Sequence, residues 1–175
     1  MIEPVAQAAA APMPSVVRLL DTLSRALAFC GGLLLVAMTL MASYSIVMRA
    51  LLNQPLLGDV ELVQMGCGIA IVFFLPLCQL RRGNVIVDVF TLHVSAKLRS
   101  RLDAIGSLLM ALAAGLLAWR SAIGTLDAYG TGEESIIMGL PIWWSMSAFA
   151  PGFALLALVS LYTAWQDLNG EGNPA

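Results

Sequence analysis

The chain has 175 residues, 59% hydrophobic and 11% charged, with a formal net charge of −2 and a mean hydropathy of +0.86. Soluble domains carry about 25% charged residues, so there is too little charge here to solvate a globular surface, and lipid must cover much of it. The acidic balance excludes nucleic acid as a partner, because that role calls for clustered basic surface.

Residues 1–15 are rich in Ala and Pro and are expected to form a disordered tail ahead of a membrane domain over 16–166. The first apolar run, Ala26 to Met48, lies between Arg25 and Arg49. It is long enough to cross a hydrocarbon core of ~30 Å at ~1.5 Å per residue. It exceeds the ~7–15-residue apolar core of a cleaved signal peptide and lacks a small-x-small cleavage site, so it is read as a retained span.

The second run, Leu62 to Leu80, has no ionisable side chain other than Cys67 and Cys78. Asp59 and Glu61 precede it, and Arg81-Arg82-Gly83 closes it. Carboxylates at a helix N-terminus and guanidinium groups at its C-terminus both suit the helix dipole, worth ~0.3–1 kcal/mol each. Gly83 suits a left-handed cap. Gly66 and Ala70 offer a close-approach face, and Pro76 is expected to kink the helix. On one helix Cys67 and Cys78 stand ~16 Å apart, too far to bridge. With Cys30 they are read as small apolar packing residues.

Between the second and third spans, Val87, Phe90, Val94, Leu98, Leu102 and Ile105 recur every three or four residues. Such a stripe predicts an amphipathic helix over about 86–102, lying on the membrane surface and leading into the third span. Asp88, His93, Lys97, Arg99 and Asp103 fall outside the stripe, and Arg101 at its edge can snorkel. The same helix could instead pack on protein. The third span is placed at about 104–126, starting from the run Ala104 to Trp119 that Arg120 closes. Ser107, Ala111 and Gly115 form a small-xxx-small ladder on it. The fourth apolar stretch lacks charge from Glu134 to Asp167, too long for one crossing. Pro141 suits a first turn, which puts the span at about 142–165 and leaves 167–175 as a tail. Pro151 is expected to kink it.

Four spans put both termini on one side, with Arg18, Arg25, Arg81, Arg82, Lys97, Arg99 and Arg101. The other side holds Arg49 and Arg120, with Asp59, Glu61, Asp127, Glu133 and Glu134. The positive-inside rule makes the first side cytoplasmic. Trp119, Trp143 and Trp144 are expected at the outer boundary, Tyr162 and Trp165 at the inner one. Arg81, Arg82, Lys97, Arg99 and Arg101 would anchor and orient the chain, together with Trp143, Trp144 and Trp165. The outer acids Asp59, Glu61, Asp127, Glu133 and Glu134 could dock a partner, or, for Asp59 and Glu61, simply serve the helix dipole. Arg81 and Arg82 could likewise touch a partner subunit or lipid phosphate.

No Asp, Glu, Lys, Arg or His is expected near the middle of a span, with Arg120 and Asp127 placed at a membrane face. Pumps and proton-coupled carriers use such mid-membrane groups. His93 is the only histidine, so bis-histidine haem ligation within this chain is impossible. There is no Cys-x-x-Cys, phosphate loop or nucleophile elbow. The pattern is an all-α integral membrane protein without catalytic, cofactor or metal residues, an accessory or scaffold subunit. A stand-alone carrier or channel, or the anchor of a redox complex, are the alternatives.

Three places carry a resemblance. Glu61 opens the second span. Arg81-Arg82-Gly83-Asn84-Val85-Ile86-Val87-Asp88 closes it. Gly139-Leu140-Pro141-Ile142-Trp143 opens the fourth, with Pro151-Gly152 following. In this order, on a four-span layout, they resemble the small permease subunit of tripartite ATP-independent periplasmic (TRAP) transporters, the DctQ type. Asn84 stands where many members have His, and a single acid stands at Glu61 where a pair is common. The resemblance implies a large permease subunit that carries the substrate and sodium sites. It also implies a periplasmic solute-binding protein that delivers an organic acid, and a bacterial inner-membrane location. The small subunit would extend the static scaffold and need no cofactor of its own.

Overall fold

Four long α-helices make up the computed structural model, which describes residues 15–52, 58–81 and 96–168. They are α1 (Ser15–Leu52), α2 (Asp59–Leu80), α3 (Ala96–Thr131) and α4 (Trp143–Leu168). Each contains a stretch long and apolar enough to cross a membrane. Each expected span falls within one helix, except that α4 begins one residue after Ile142. The first and third helices run well beyond their apolar runs. At 38 and 36 residues they are ~57 and ~54 Å long, against a core of ~30 Å. The expected surface helix falls, over 86–95, outside the described residues. From Ala96 onward the chain is already in α3, one uninterrupted helix that includes Leu102 and Ile105.

The helices pack in the order α1, α2, α4, α3, with only a light contact between α1 and α4. α3 therefore lies at one edge and, among the described residues, leans mainly on α4. Among its half-buried and buried positions, Ala104, Ser107, Ala111, Ala114, Ala118, Ser121, Thr125 and Ala128 alternate by three and four as in a heptad seam. Every one is small, so the α3 and α4 backbones approach closely. Ser107 and Ala111 lie on this seam as expected of the ladder, while Gly115 is half-buried beside it. A Cβ at Gly115 would meet nothing within 4 Å, because a seam of period 3.5 drifts to Ala114 and Ala118 where a strict i+4 ladder would land on residue 115.

Glycines set the other interfaces. A Cβ at Gly31 of α1 would stand 3.2 Å from the Ala70 carbonyl oxygen of α2. One at Gly66 would come 2.7 Å from the sulfur of Met38. Between α2 and α4, a Cβ at Gly152 would lie 2.5 Å from Val72 Cγ1 and 3.5 Å from the Val72 carbonyl oxygen. That carbonyl is the one Pro76 leaves without its usual i+4 donor. Both prolines sit within continuous helices, Pro76 in α2 and Pro151 in α4. Leu20, Leu155 and Val159 form a buried cluster with Leu27, Leu80 and Tyr162 against it. It joins α1, α2 and α4 at the end where Arg81 caps α2. Cys30 and Cys78 are exposed on their helices and Cys67 is half-buried, so the first two do not pack inside the bundle.

The α3–α4 connection is a tight, hydrogen-bonded loop. Gly132 has φ 66, and Glu133 N–H donates to the Ala128 carbonyl at 3.3 Å, the six-to-one bond of a helix stop with a left-handed residue. Ser135 N–H then donates to Leu140 O at 2.8 Å, and Ile142 N–H to Glu133 O at 3.0 Å. Glu134 and Pro141 pair as an isolated antiparallel bridge.

Candidate interaction site

The loop end of the bundle gathers Asp59, Glu61, Asp127, Glu133 and Glu134. Glu61, in the first turn of α2, accepts hydrogen bonds from Ser135 Oγ and, at 3.2 Å, from Ile137 N–H. Asp59 accepts from Ser45 Oγ of α1 at 2.5 Å and from Val60 N–H. Gly58 has φ 81 and lies directly beneath Met138, whose side chain fills the space a Cβ would need. Two carboxylates expected at a docking surface are thus tied internally. Glu61 clasps the loop to α2, and Asp59 ties α1 to α2.

Asp127, Glu133 and Glu134 are exposed. Beside them α2 and α4 part to leave a groove of about 380 Å³, with Glu61, Gln64 and Glu134 at its rim and Met65, Met146 and Phe149 within. Phe149 closes the floor against Gly68. Ile136, at the loop tip, is 97% exposed.

At the opposite end, Gln79 Nε2 donates to Thr163 Oγ1 at 3.2 Å in a buried contact between α2 and α4. Asp167 is also buried there. Arg81 caps α2 and is exposed, as is Arg101 near the start of α3. Lys97 and Arg99 lie in the first turns of α3. Arg82, Gly83, Asp88 and His93 lie outside the described residues. Tyr162 and Trp165 have ring centroids 6.4 Å apart near the end of α4. At its start Trp143 makes T-shaped contacts with Tyr129 and with Trp144.

Register along α3 changes the reading of Trp119 and Arg120. Tyr129 meets Trp143 with centroids 5.6 Å apart. A Cβ at Gly124 would lie 3.9 Å from the sulfur of Met146. The two helices are antiparallel, so Arg120, one turn back from Gly124, is level with Ala150 to Gly152. That part of α4 packs on Gly68 to Val72 of α2, the centre of the uncharged 62–80 run. Trp119 and Arg120 therefore lie mid-span, with Arg120 ~13 Å along the axis from Tyr129, not at the boundary. The charge of Arg120 interrupts the apolar run, but the helix itself continues to Thr131. Gly132, the residue that does stop it, was the available signal. Arg120 is exposed, and it has no carboxylate or hydrogen-bond partner among the described residues. Against lipid, a mid-membrane arginine costs roughly 2.5–3.5 kcal/mol on insertion scales.

Two partly polar surfaces result, an acidic loop end with an apolar groove and a lone cation at mid-depth on the edge helix. Among the described residues no group of His, Cys, Asp and Glu could hold a metal ion. The family model described as the DctQ component of tripartite ATP-independent periplasmic transporters matches residues 38–170, the C-terminal part of α1 and all of α2, α3 and α4. No curated protein and no solved structure matches the chain.

Proposed function

The chain belongs to the DctQ component family of the tripartite ATP-independent periplasmic transporters, and on that premise we propose that it is the small scaffold subunit of a sodium-coupled importer of organic acids. It works beside a large permease subunit and a periplasmic solute-binding protein, in a bacterial inner membrane with both termini cytoplasmic. The family match over residues 38–170 carries this reading.

The packing supports a static role. α2 and α4 meet through Gly152 against the Val72 backbone and through the buried Gln79–Thr163 bond, and α3 closes on α4 along small residues. Contacts of this closeness resist sliding, because packed interfaces switch between discrete arrangements and do not deform continuously. The uncharged interiors of α2 and α4 suit a brace better than an ion path, and coupling sodium would bind in the large subunit. The excess of Arg and Lys at the Arg81 end supports the orientation.

The test is purification of the tagged chain from its native membrane in mild detergent. A much larger multi-span permease should come down with it in constant ratio. Solute transport by the purified chain alone in liposomes would overturn the reading.

A further inference from the structure

We propose that the exposed stripe of α3 around Arg120 is the surface that receives a transmembrane helix of the large permease subunit, and that this helix presents an Asp or Glu carboxylate to Arg120 at mid-membrane depth. The proposal rests on the functional reading above and names the contact surface within it.

Arg120 is exposed, level with the centre of the uncharged α2 run, and points away from the α3 seam, which passes through Ala118 and Ser121. Among the described residues α3 packs mainly on α4, and Arg120 with the stripe around it is left exposed. From this depth the side chain is too short to reach either headgroup layer. Ionisable residues at this level face a protein interior or a water-filled cavity and pair there. Acyl tails offer a guanidinium no acceptor, whereas a carboxylate satisfies it with two parallel, charge-assisted hydrogen bonds. A second copy in the same membrane orientation would bring its own Arg120 to the same depth, setting like charge against like. Charge complementarity thus selects an acidic partner helix. Around Arg120, Ala113, Leu116 and Leu117 are exposed, giving an apolar surface with one small position for close approach.

The test uses the intact complex, pulled down on a tag carried by this chain, with Arg120→Leu, Arg120→Lys and Arg49→Leu compared. Arg120→Leu is expected to insert in the membrane as wild type does, yet to recover roughly 10-fold less large subunit. Arg120→Lys should fall between, since it keeps the charge without the planar fork, and Arg49→Leu should match wild type. Cysteines at Leu116 and Leu117 should cross-link to the large subunit. Wild-type recovery with Arg120→Leu would overturn the proposal while leaving the functional reading intact. Loss of self-association, or a change only in retained lipid, would overturn it in favour of a second copy or a lipid phosphate. If the wild-type chain brings down no large subunit, the functional reading falls and this proposal falls with it.

Discussion

Glu61 and Ser135 lie seventy-four positions apart, and the Ser135 hydroxyl donates to the Glu61 carboxylate. Glu61 also takes the Ile137 N–H. One side chain in the first turn of α2 therefore fixes the loop joining α3 to α4. Since α3 leans mainly on α4, this clasp, the α2–α4 seam and the cluster of Leu20 with Leu155 and Val159 join the α3–α4 hairpin to the rest of the bundle.

Glu61→Ala should free that loop. A hydrogen bond to a charged group contributes ~1.5–3 kcal/mol, so the variant should melt earlier in detergent. The loop near the exposed Ile136 should also become a site of limited proteolysis. Ser135→Ala should do part of the same damage. Combined, the two should cost less than the sum of the singles, because they remove one shared contact. Additive losses would mean that the contact carries no energy.

Two glycines should behave oppositely. Gly152→Ala places a methyl 2.5 Å from Val72 Cγ1, and valine, stiff at χ1, has little room to turn away. A cost of ~1–3 kcal/mol is expected for such overpacking, seen as a lower melting temperature. Gly115→Ala meets open space and gains helix propensity of up to ~1 kcal/mol, so it should be neutral or stabilising. Equal effects at both positions would contradict the packing described.

The four helices were legible because a charge-free run long enough to cross a bilayer has few other uses, and because Arg49, Glu61 and Arg81 mark such ends plainly. Helix length was not legible, since hydropathy reports the surrounding solvent and not where hydrogen bonding stops. That is why Arg120 reads as a boundary when the helix runs on to Thr131. Contacts distant in sequence left no local trace. Nothing around Ser135 announces Glu61, and nothing around Gly58 announces Met138. Likewise the small-residue signal on α3 was real, but its 3.5-residue period appears only once α4 is laid against it.

The buried pair Gln79 and Thr163 should be energetically modest. Polar contacts between membrane helices couple by ~0.6 kcal/mol on average, because the separated helices find other partners. A double-mutant cycle with Gln79→Leu and Thr163→Val, followed by steric-trap or denaturant unfolding, should therefore give a coupling well below ~2 kcal/mol. Thr163 Oγ1 also donates to the Ser160 carbonyl at 3.0 Å, so Gln79→Leu leaves that hydroxyl a partner. A large coupling would make this contact, and not the glycine packing, the main tie between α2 and α4.

Asp127, Glu133 and Glu134 remain free for an electrostatic role, since the internal bonds described fall to Asp59 and Glu61. If the loop end receives the solute-binding protein, these carboxylates act mainly on encounter rate, where long-range charge steers approach. Reversing all three to Lys should raise the binding-protein concentration for half-maximal uptake several-fold at low ionic strength. The difference should shrink toward none at ~1 M salt, where the screening length is only ~3 Å. Recovery of the large subunit should stay at the wild-type level, because that contact is assigned to α3. Unchanged uptake at low salt would remove the acidic loop from docking. A deficit that persists at high salt would point to a folding defect and not to lost steering.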